Sequence, residues 1–303
     1  MSALDLLVIG AGPAGVSAAL WARSLDLSVR VLEAGAAAGG QLHQIHFEPV
    51  NFAGSAAGAG PALAARLADQ LEACGADVRF GVRVVLLEPA AAAVRDAAGE
   101  RHEARAVLIA TGARRRTLDV PGERELEGRG VSYSATQDRE RFTGEDVLVV
   151  GGGDAAYENA LLLAEVDCRV TLAVRGLPRA RPRFREQVGR DRRIEVLEQT
   201  RVAAIAGEER VATVRLEGRD GAWDLPVAGV VIKAGIVPNT EWCRDAVELD
   251  DQGWIRVDDR HGTSHPRVWA VGDATRPEPL GLSVATGQGA MAVAAMRAAV
   301  LDG

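Results

Sequence analysis

The residues best suited to chemistry in this sequence lie in two glycine-rich segments, Gly10-Ala11-Gly12-Pro13-Ala14-Gly15 and Gly151-Gly152-Gly153-Asp154-Ala155-Ala156. In a Gly-x-Gly-x-x-Gly run the first glycine makes a sharp turn and the second lets the backbone approach a pyrophosphate. The third lets a helix pack closely on a strand, and the helix offers its free N–H groups to phosphate oxygens. An acid roughly 20 residues further on accepts hydrogen bonds from a ribose diol, and Glu33 stands there in the first copy. Val174 and Arg175 occupy that place in the second copy. An arginine suits a 2′-phosphate, so the second site is read as one for NADPH in preference to NADH. Its binding residues are Gly151, Gly153, Asp154, Ala155, Arg175 and Arg179. The arginines that follow, from Arg181 to Arg193, form a positive run that holds a phosphate, docks an acidic partner or simply meets solvent.

Strands and helices must hold these turns. Leu6-Leu7-Val8-Ile9 reads as a buried strand, residues 16–25 as a helix, and Val29-Arg30-Val31-Leu32 as a second strand that ends in Glu33. Val147-Leu148-Val149-Val150, a helix through Glu165 and a strand over residues 169–174 repeat that order around Gly151. Each glycine turn therefore follows a strand and opens a helix, the context that confirms the motif. Residues 61–74 pattern as a helix, 82–87 with 92–95 as a hairpin, and 106–110 as a buried strand leading into Thr111-Gly112-Ala113. Strand candidates follow at 194–197, 211–216 and 230–232, and the chain closes with a strand into Gly272-Asp273 and a helix over 284–301. Because the second unit lies between Gly112 and Cys243, the simplest topology inserts one dinucleotide-binding domain into another. The expected boundaries are residues 1–113 and 245–303 for the outer domain and 114–244 for the inserted one.

A chain of 303 residues suits two domains of about 150 residues each. With 48% apolar and 25% charged residues it is an ordinary globular sequence, not a disordered one. A net charge of −7 gives no global attraction to nucleic acid or an anionic membrane, and 4% aromatics supply no stacking platform for bases. Cys74, Cys168 and Cys243 are far apart and make no Cys-x-x-Cys or metal-ligand spacing, so redox chemistry must come from a bound cofactor and no metal is expected. Asp5 interrupts the N-terminus and no secretory pattern is visible, so a cytoplasmic location is expected. Residues 289–301 carry Arg297 and are too short for a bilayer, which needs about 20 apolar residues. Lys233, the only lysine, reads as a strand-end side chain snorkelling to water, with a cofactor or substrate contact as the alternative.

Taken together, these residues resemble the low-molecular-weight thioredoxin reductase family of FAD- and NADPH-dependent oxidoreductases over essentially the whole chain. The likeness rests on the two glycine turns, Gly39-Gly40-Gln41-Leu42, Asn51-Phe52-Ala53-Gly54, Ala110-Thr111-Gly112-Ala113, Gly235 with Pro238-Asn239-Thr240, and Gly272-Asp273 ahead of Gly287-Gln288-Gly289. It implies an α/β fold of two Rossmann-like, three-layer ββα dinucleotide-binding domains, with the NAD(P)H domain inserted in the FAD domain. By the same likeness Gly10, Gly12, Pro13, Ala14, Gly15 and Glu33 bind the ADP half of FAD. Gly40, Gln41, Leu42, Asn51, Ala110, Thr111, Gly112 and Gly272 belong to the same site, with Gln41 and Asn51 beside the flavin and Asp273 receiving the ribitol. The final helix would point its N-terminus at the pyrimidine edge of the flavin, where its dipole stabilises negative charge. A homodimer is also implied.

The sequence departs from the family at Ser134-Ala135-Thr136-Gln137-Asp138, where the resemblance places a redox-active Cys-x-x-Cys followed by Asp. Disulfide exchange requires a thiolate attacking sulfur, so reduction of thioredoxin by the family's mechanism is not expected. Ser134 and Asp138 remain as candidate catalytic residues, Asp138 matching the family's proton donor, while Ser134-x-x-Gln137 also reads as a helix capping box. Val174 and Gly176 flank Arg175 where the family has a basic triplet, and Leu280-Gly281-Leu282 replaces its Arg-Gln-Ala. The expected function is passage of hydride from NADPH to FAD and of electrons on to an external acceptor, such as a quinone, a free flavin, a small disulfide or a protein. The alternatives are a ferredoxin- or flavodoxin-NADP reductase and a flavin-bound redox sensor. Relatives of the former kind usually add a C-terminal segment over the flavin, whereas this sequence stops at Gly303.

Overall fold

The computed structural model describes residues 4–45, 48, 49, 51–53 and 58–301. The chain enters on β1 (Leu6–Ile9), four consecutive apolar residues buried on both faces, as expected for a strand inside a parallel sheet. Gly12 precedes α1 (Pro13–Ser24), whose proline sits at a first-turn position where a missing N–H is harmless. β2 (Val29–Glu33) returns parallel to β1, pairing Leu6 with Val29 and Ile9 with Leu32. After α2 (Gly60–Ala73), which ends at Gly75 in the left-handed region, come β3 (Asp77–Phe80) and an antiparallel sheet of β4 (Val84–Glu88), β5 (Ala93–Asp96) and β6 (Arg101–Glu103). β7 (Ala106–Ile109) then joins β1 on its free side.

The chain leaves this unit through β8 (Ala113–Arg115). In the inserted unit, residues 115–236, β9 (Val131–Ser132) and the short α3 (Ala135–Asp138) precede β10 (Asp146–Val150), α4 (Asp154–Ala164) and β11 (Arg169–Val174). α5 (Pro182–Arg190) leads to β12 (Ile194–Glu198). β13 (Arg201–Ala206), β14 (Thr213–Gly218) and β15 (Gly221–Pro226) form an antiparallel sheet, and β16 (Gly229–Ile232) returns to β10. β17 (Ile236–Pro238) brings the chain back to the first unit, which β18 (Val268–Ala270) and α6 (Leu282–Met296) complete.

Alternation along the central strands shows three layers in each unit. Leu6 and Val8 pack with Val16, Ala19 and Val293 on the helix side, whereas Leu7 and Ile9 pack with Val84, Leu87 and Val94 of the small sheet. In the inserted unit Val147 and Val149 join Ala160 and Leu163, and Leu148 and Val150 join Val202, Val214 and Leu216. Each fully buried Leu or Val of this kind contributes about 1.5–3 kcal/mol. The sheet orders β18-β7-β1-β2-β3 and β12-β11-β10-β16-β9 place each glycine-bearing strand between neighbours reached in opposite directions. Such a switch opens a crevice at the carboxyl ends of the strands, where ligands bind in sheets of this type.

Two expectations are corrected here. The return to the first unit falls between Ile236 and Val237, not after Arg244. Residues 237–244 are held there because Asn239 donates to Thr111 O, Thr111 Oγ1 donates to Asn239 O, and Cys243 is buried with Ile109 and Ile255. The outward crossing falls between Arg114 and Arg115, one residue from the position read in the sequence. The expected hairpin also gains a third strand, β6, through pairing of Val94 with His102.

Candidate cofactor sites

In the first unit the glycine turn is sterically enforced at two positions and open at one. Gly10 has φ 105°, and a Cβ there would lie 2.5 Å from Ala110 O at the end of β7. A Cβ on Gly15 would lie 1.9 Å from Gly10 O, which explains the close approach of α1 to β1. Gly12 has nothing within 4 Å of its Cβ position, and no side chain caps the helix it opens. The backbone N–H groups of α1, with Pro13 and Ala14 in its first turn, thus face a space that an anion can enter. Glu33 Oε2 accepts from Ala11 N at 2.7 Å and Oε1 from Gly35 N at 2.7 Å. A carboxylate has about four acceptor positions, so two remain for a ribose diol.

Distant segments converge on the same crevice. Gly39 N donates to Ala11 O, and a Cβ on Gly40 would lie 3.1 Å from Gly12 Cα. Gln41 Nε2 donates to Asp273 Oδ2 at 2.7 Å, which joins two residues the sequence named separately. Gly112, at φ 64°, has Gln41 Nε2 as the atom nearest its Cβ position, at 3.7 Å. The side chain of Leu42 is buried in the helix-side core, and Thr111 is engaged with Asn239 through its hydroxyl and its carbonyl. Asn51 O accepts from Ser283 Oγ at 3.0 Å, tying that loop to the start of α6, whose N-terminus has no side-chain cap. Gly54 of the same motif lies outside the described residues. Sequence reading gave no role to Gln288, whose Oε1 accepts from Gly272 N at 2.8 Å, or to Ser17, whose Oγ donates to Thr286 O. The Gly-Gln-Gly run at 287–289 was the available signal. The open pyrophosphate position, two residual acceptor positions on Glu33 and the Gln41–Asp273 pair fit a flavin adenine dinucleotide.

The inserted unit repeats the turn with changes. Gly151 has φ 148°, and a Cβ there would lie 2.3 Å from Lys233 O at the end of β16, as Gly10 meets Ala110 O in the first unit. Gly153 is open, with no atom within 4 Å of its Cβ position and no side-chain cap on α4. Ala156 fills the third-glycine position and is fully buried. Arg179 N and Ala180 N both donate to Gly152 O. Asp154 is bound within the protein: Arg181 N and the Arg181 guanidinium donate to it and hold its carboxyl below the usual range. Ala155 O accepts from Asn159 Nδ2 at 2.7 Å. Arg175 and Arg179 are exposed and meet no acid among the described residues. Arg181, Arg190 and Arg193 are instead paired with Asp154, Glu186 and Asp191. The two arginines named for a 2′-phosphate are thus left available.

The segment 132–138 is arranged differently from the capping box read in the sequence. Ser134 precedes α3 but its side chain caps nothing. Asn159 Oδ1 accepts from Ala135 N at 2.8 Å, and Ser132 Oγ, which donates to Asp138 Oδ2 at 2.7 Å, accepts from Ser134 N. Tertiary partners outcompete the local cap. Asp138, with Arg141 3.3 Å from its other oxygen, stands on one wall of a cavity of about 210 Å³. That cavity also borders Arg129, Arg210 and Ala228, at the amino-terminal end of β16 and away from Gly151. All three cysteines are free. Burial pushes the Cys243 thiol up to about 12 and raises that of Cys168.

Comparison with known proteins decides the family. Residues 4–298 match the family described as pyridine nucleotide-disulphide oxidoreductase. The chain belongs to that family. It is 32% identical over 292 residues to the thioredoxin reductase of Listeria monocytogenes, covering 95% of this chain and 91% of the relative. It is 38% identical over 282 residues to that of Mycolicibacterium smegmatis, covering 89% and 88%. Among solved structures, Lactococcus lactis thioredoxin reductase matches with a TM-score of 0.82 at 29% identity, covering 99% of both chains. The chain is therefore a thioredoxin reductase-like NADPH-dependent flavin oxidoreductase with the two-domain dinucleotide-binding fold, and thioredoxin reductase family proteins bind FAD and depend on NADPH. Among the described residues, no helix is long and apolar enough to cross a membrane.

Proposed function

We propose that the first unit holds FAD, that the inserted unit holds NADPH, and that electrons leave the protein to an external acceptor without an internal dithiol. The observation that carries this reading is the segment 134–137, which presents Ser134 and Gln137 where the family's chemistry calls for two sulfurs. No other thiol pair replaces them, since Cys168 and Cys243 are buried in separate cores and Cys74 stands at the end of α2. Three unpaired cysteines also accord with a reducing, cytoplasmic compartment.

The bound cofactors supply the hydride and electron transfer, and the chain supplies geometry and electrostatics. Gly12 and Gly153 leave room for pyrophosphates at helix N-termini, and Glu33 holds the ribose diol of the FAD adenosine. Arg175 and Arg179 hold the 2′-phosphate that distinguishes NADPH from NADH. Asp273, steadied by Gln41, accepts a sugar hydroxyl, and the uncapped N-terminus of α6 stabilises negative charge beside it. Neither Ser134 nor Asp138 has a chemical part in this scheme. A homodimer belongs to the same reading and is checked by sedimentation.

Anaerobic mixing with NADPH, followed by a panel of acceptors, tests the proposal. The flavin should bleach and be reoxidised by a quinone, a free flavin or a small disulfide, whereas thioredoxin should not be reduced. Failure to bleach, or steady reduction of thioredoxin, defeats the proposal. A reductase of acidic electron carriers is the second reading, favoured by the unpaired Arg175 and Arg179. It requires a rate that falls steeply with salt.

A further inference from the structure

The single lysine of the chain stands at a position that internal comparison marks as special. At the end of its third central strand the first unit places Ala110, whose carbonyl packs on Gly10, and the inserted unit places Lys233, whose carbonyl packs on Gly151 in the same way. The next residues also correspond, Thr111-Gly112 against Ala234-Gly235, with both glycines at positive φ. A small residue has thus been exchanged for the only lysine at the carboxyl end of β16, beside the switch between β10 and β16.

Contrary to the snorkelling expected from the sequence, the side chain turns inward. Nζ donates to Tyr133 O at 2.6 Å, and the residue is half-buried. An ammonium has three donors, so two remain after Tyr133 O, and no carboxylate forms an ion pair with Lys233 among the described residues. The charges that face it are Arg115 from β8 and Glu158 from α4, and the Tyr133 phenol, itself bonded to Glu123 Oε1, is held neutral well above its usual range. Burial, reinforced by Arg115 and opposed by Glu158, lowers the Lys233 amine to about 8.

The sheet order fixes which half of a dinucleotide Lys233 would meet. β11, which leads into Arg175, lies on one side of β10, and β16, which leads into Lys233, lies on the other. A dinucleotide with its 2′-phosphate at Arg175 and its pyrophosphate at Gly151–Gly153 extends its nicotinamide half over the end of β16. On the reading that the inserted unit binds NADPH, we infer that Lys233 is a specificity-determining residue for the redox state of the nucleotide. Its cation donates to oxygens of the nicotinamide riboside while repelling the positively charged oxidised ring, so the reduced, neutral ring binds in preference. Spent nucleotide is thereby released and fresh NADPH taken up in its place. The preference is one like-charge contact in a partly wet crevice, about tenfold, and it fades once Lys233 loses its proton.

The test measures the dissociation constants of NADP⁺ and of tetrahydro-NADP, a neutral-ring analogue that donates no hydride, on the FAD-loaded protein from about pH 6.5 to about pH 9.5. Their ratio cancels everything the two ligands share. Wild type should favour the neutral ring about tenfold at the acid end and lose that preference through about pH 8. Lys233→Met should show a ratio near unity at every pH, and Lys233→Arg should keep the preference across the range. Reductive ¹³C-methylation labels only the one lysine and the N-terminal amine; the NMR signal missing from Lys233→Met reports the Lys233 titration, which NADP⁺ should depress more than the analogue does. Equal ratios in wild type and Lys233→Met, or a titration indifferent to ring charge, overturn the role of Lys233 while leaving the nucleotide site standing. Binding of neither ligand overturns both.

Discussion

Gly12 and Gly15 lie three residues apart in one turn, and the same substitution should damage different properties at each. Gly12→Ala places a methyl group where no atom lies within 4 Å, at φ −72°, a backbone any residue adopts. Alanine is a poorer N-cap by some tenths of a kcal/mol, and the stiffer unfolded chain returns about 0.4–1 kcal/mol. The flavin-free variant should therefore keep its stability to within about 1 kcal/mol, or about 2–4 °C in Tm. Its loss falls on the ligand: the methyl group displaces the pyrophosphate from backbone donors, each such charge-assisted bond being worth about 1.5–3 kcal/mol. FAD affinity should fall at least about 100-fold for two of them. Gly15→Ala does the reverse, because its methyl would lie 1.9 Å from Gly10 O. That carbonyl cannot swing aside while Gly10 N is bonded to Leu32 O and Gly10 itself packs on Ala110 O. Overpacking typically costs about 1–3 kcal/mol. A rigid backbone target puts the cost at the top of that range, so the flavin-free Tm should drop by about 6–12 °C. Thermal melts of flavin-stripped protein and FAD titration followed by flavin absorbance separate the two effects. A Gly12→Ala protein that retains stoichiometric FAD, or a Gly15→Ala protein as stable as wild type, refutes the reasoning.

Arg175→Ala should weaken NADPH by about 10–100-fold through loss of one charged contact and leave NADH unchanged, as read from the ratio of flavin-reduction rates at low nucleotide concentration. Titration with an aromatic disulfide reagent should modify Cys74 in the folded protein, but Cys168 and Cys243 only after denaturation, because burial raises both thiols. His261 is buried with neither ring nitrogen hydrogen-bonded, and burial lowers its pKa below 6.5. The unfolded chain thus binds the proton more readily, so stability is intact above about pH 6.5 and falls as the pH drops toward the folded-state value. Denaturant melts of His261→Asn, which tolerates the positive φ, should show a shallower acid decline. Ser134→Cys with Gln137→Cys should leave the melting curve within about 0.5 kcal/mol of wild type, since the Ser134 side chain caps nothing and Gln137 is exposed. A large loss of stability would show that this segment depends on its present side chains.

Much of the architecture was legible because parallel strands buried on both faces must be written as unbroken apolar runs. Leu6–Ile9 was found at its true limits for that reason, and Arg169–Val174, interrupted by Thr171, was still readable from its position after the second glycine turn. The glycine positions were equally readable, since Gly10, Gly15 and Gly151 each meet a backbone oxygen that excludes any side chain. β13 and β15 were missed: Arg201–Ala206 is mostly small residues, and Gly221–Pro226 is almost wholly exposed, so neither shows a period-two apolar signal. Side-chain roles failed wherever a distant partner intervened. Asn159 replaced Ser134 as the cap of α3, Tyr133 O drew Lys233 inward, and Arg181 engaged Asp154. Propensity and spacing carry no information about a residue that lies far away in sequence but adjacent in space.

The two units amount to one design written twice, which lets each be read against the other. Where they agree, at the first and second glycines and at the strand carbonyl that packs on the first, the requirement is that of any pyrophosphate at a helix N-terminus. They differ at the sugar, Glu33 against Arg175, at the third glycine, Gly15 against Ala156, and at the strand end, Ala110 against Lys233. Two of these exchanges add positive charge to the inserted unit's crevice, which suits a nucleotide bearing an extra phosphate that must come and go. The first unit keeps a carboxylate and a close-packed turn, which suit a group that stays. The segment 132–138 completes the contrast, because its fold rests on Ser132, Asp138 and Asn159 rather than on sulfur. Ser134 and Gln137 therefore stand apart from the glycine turns of both units, and on the proposed function what they change is where the electrons go next.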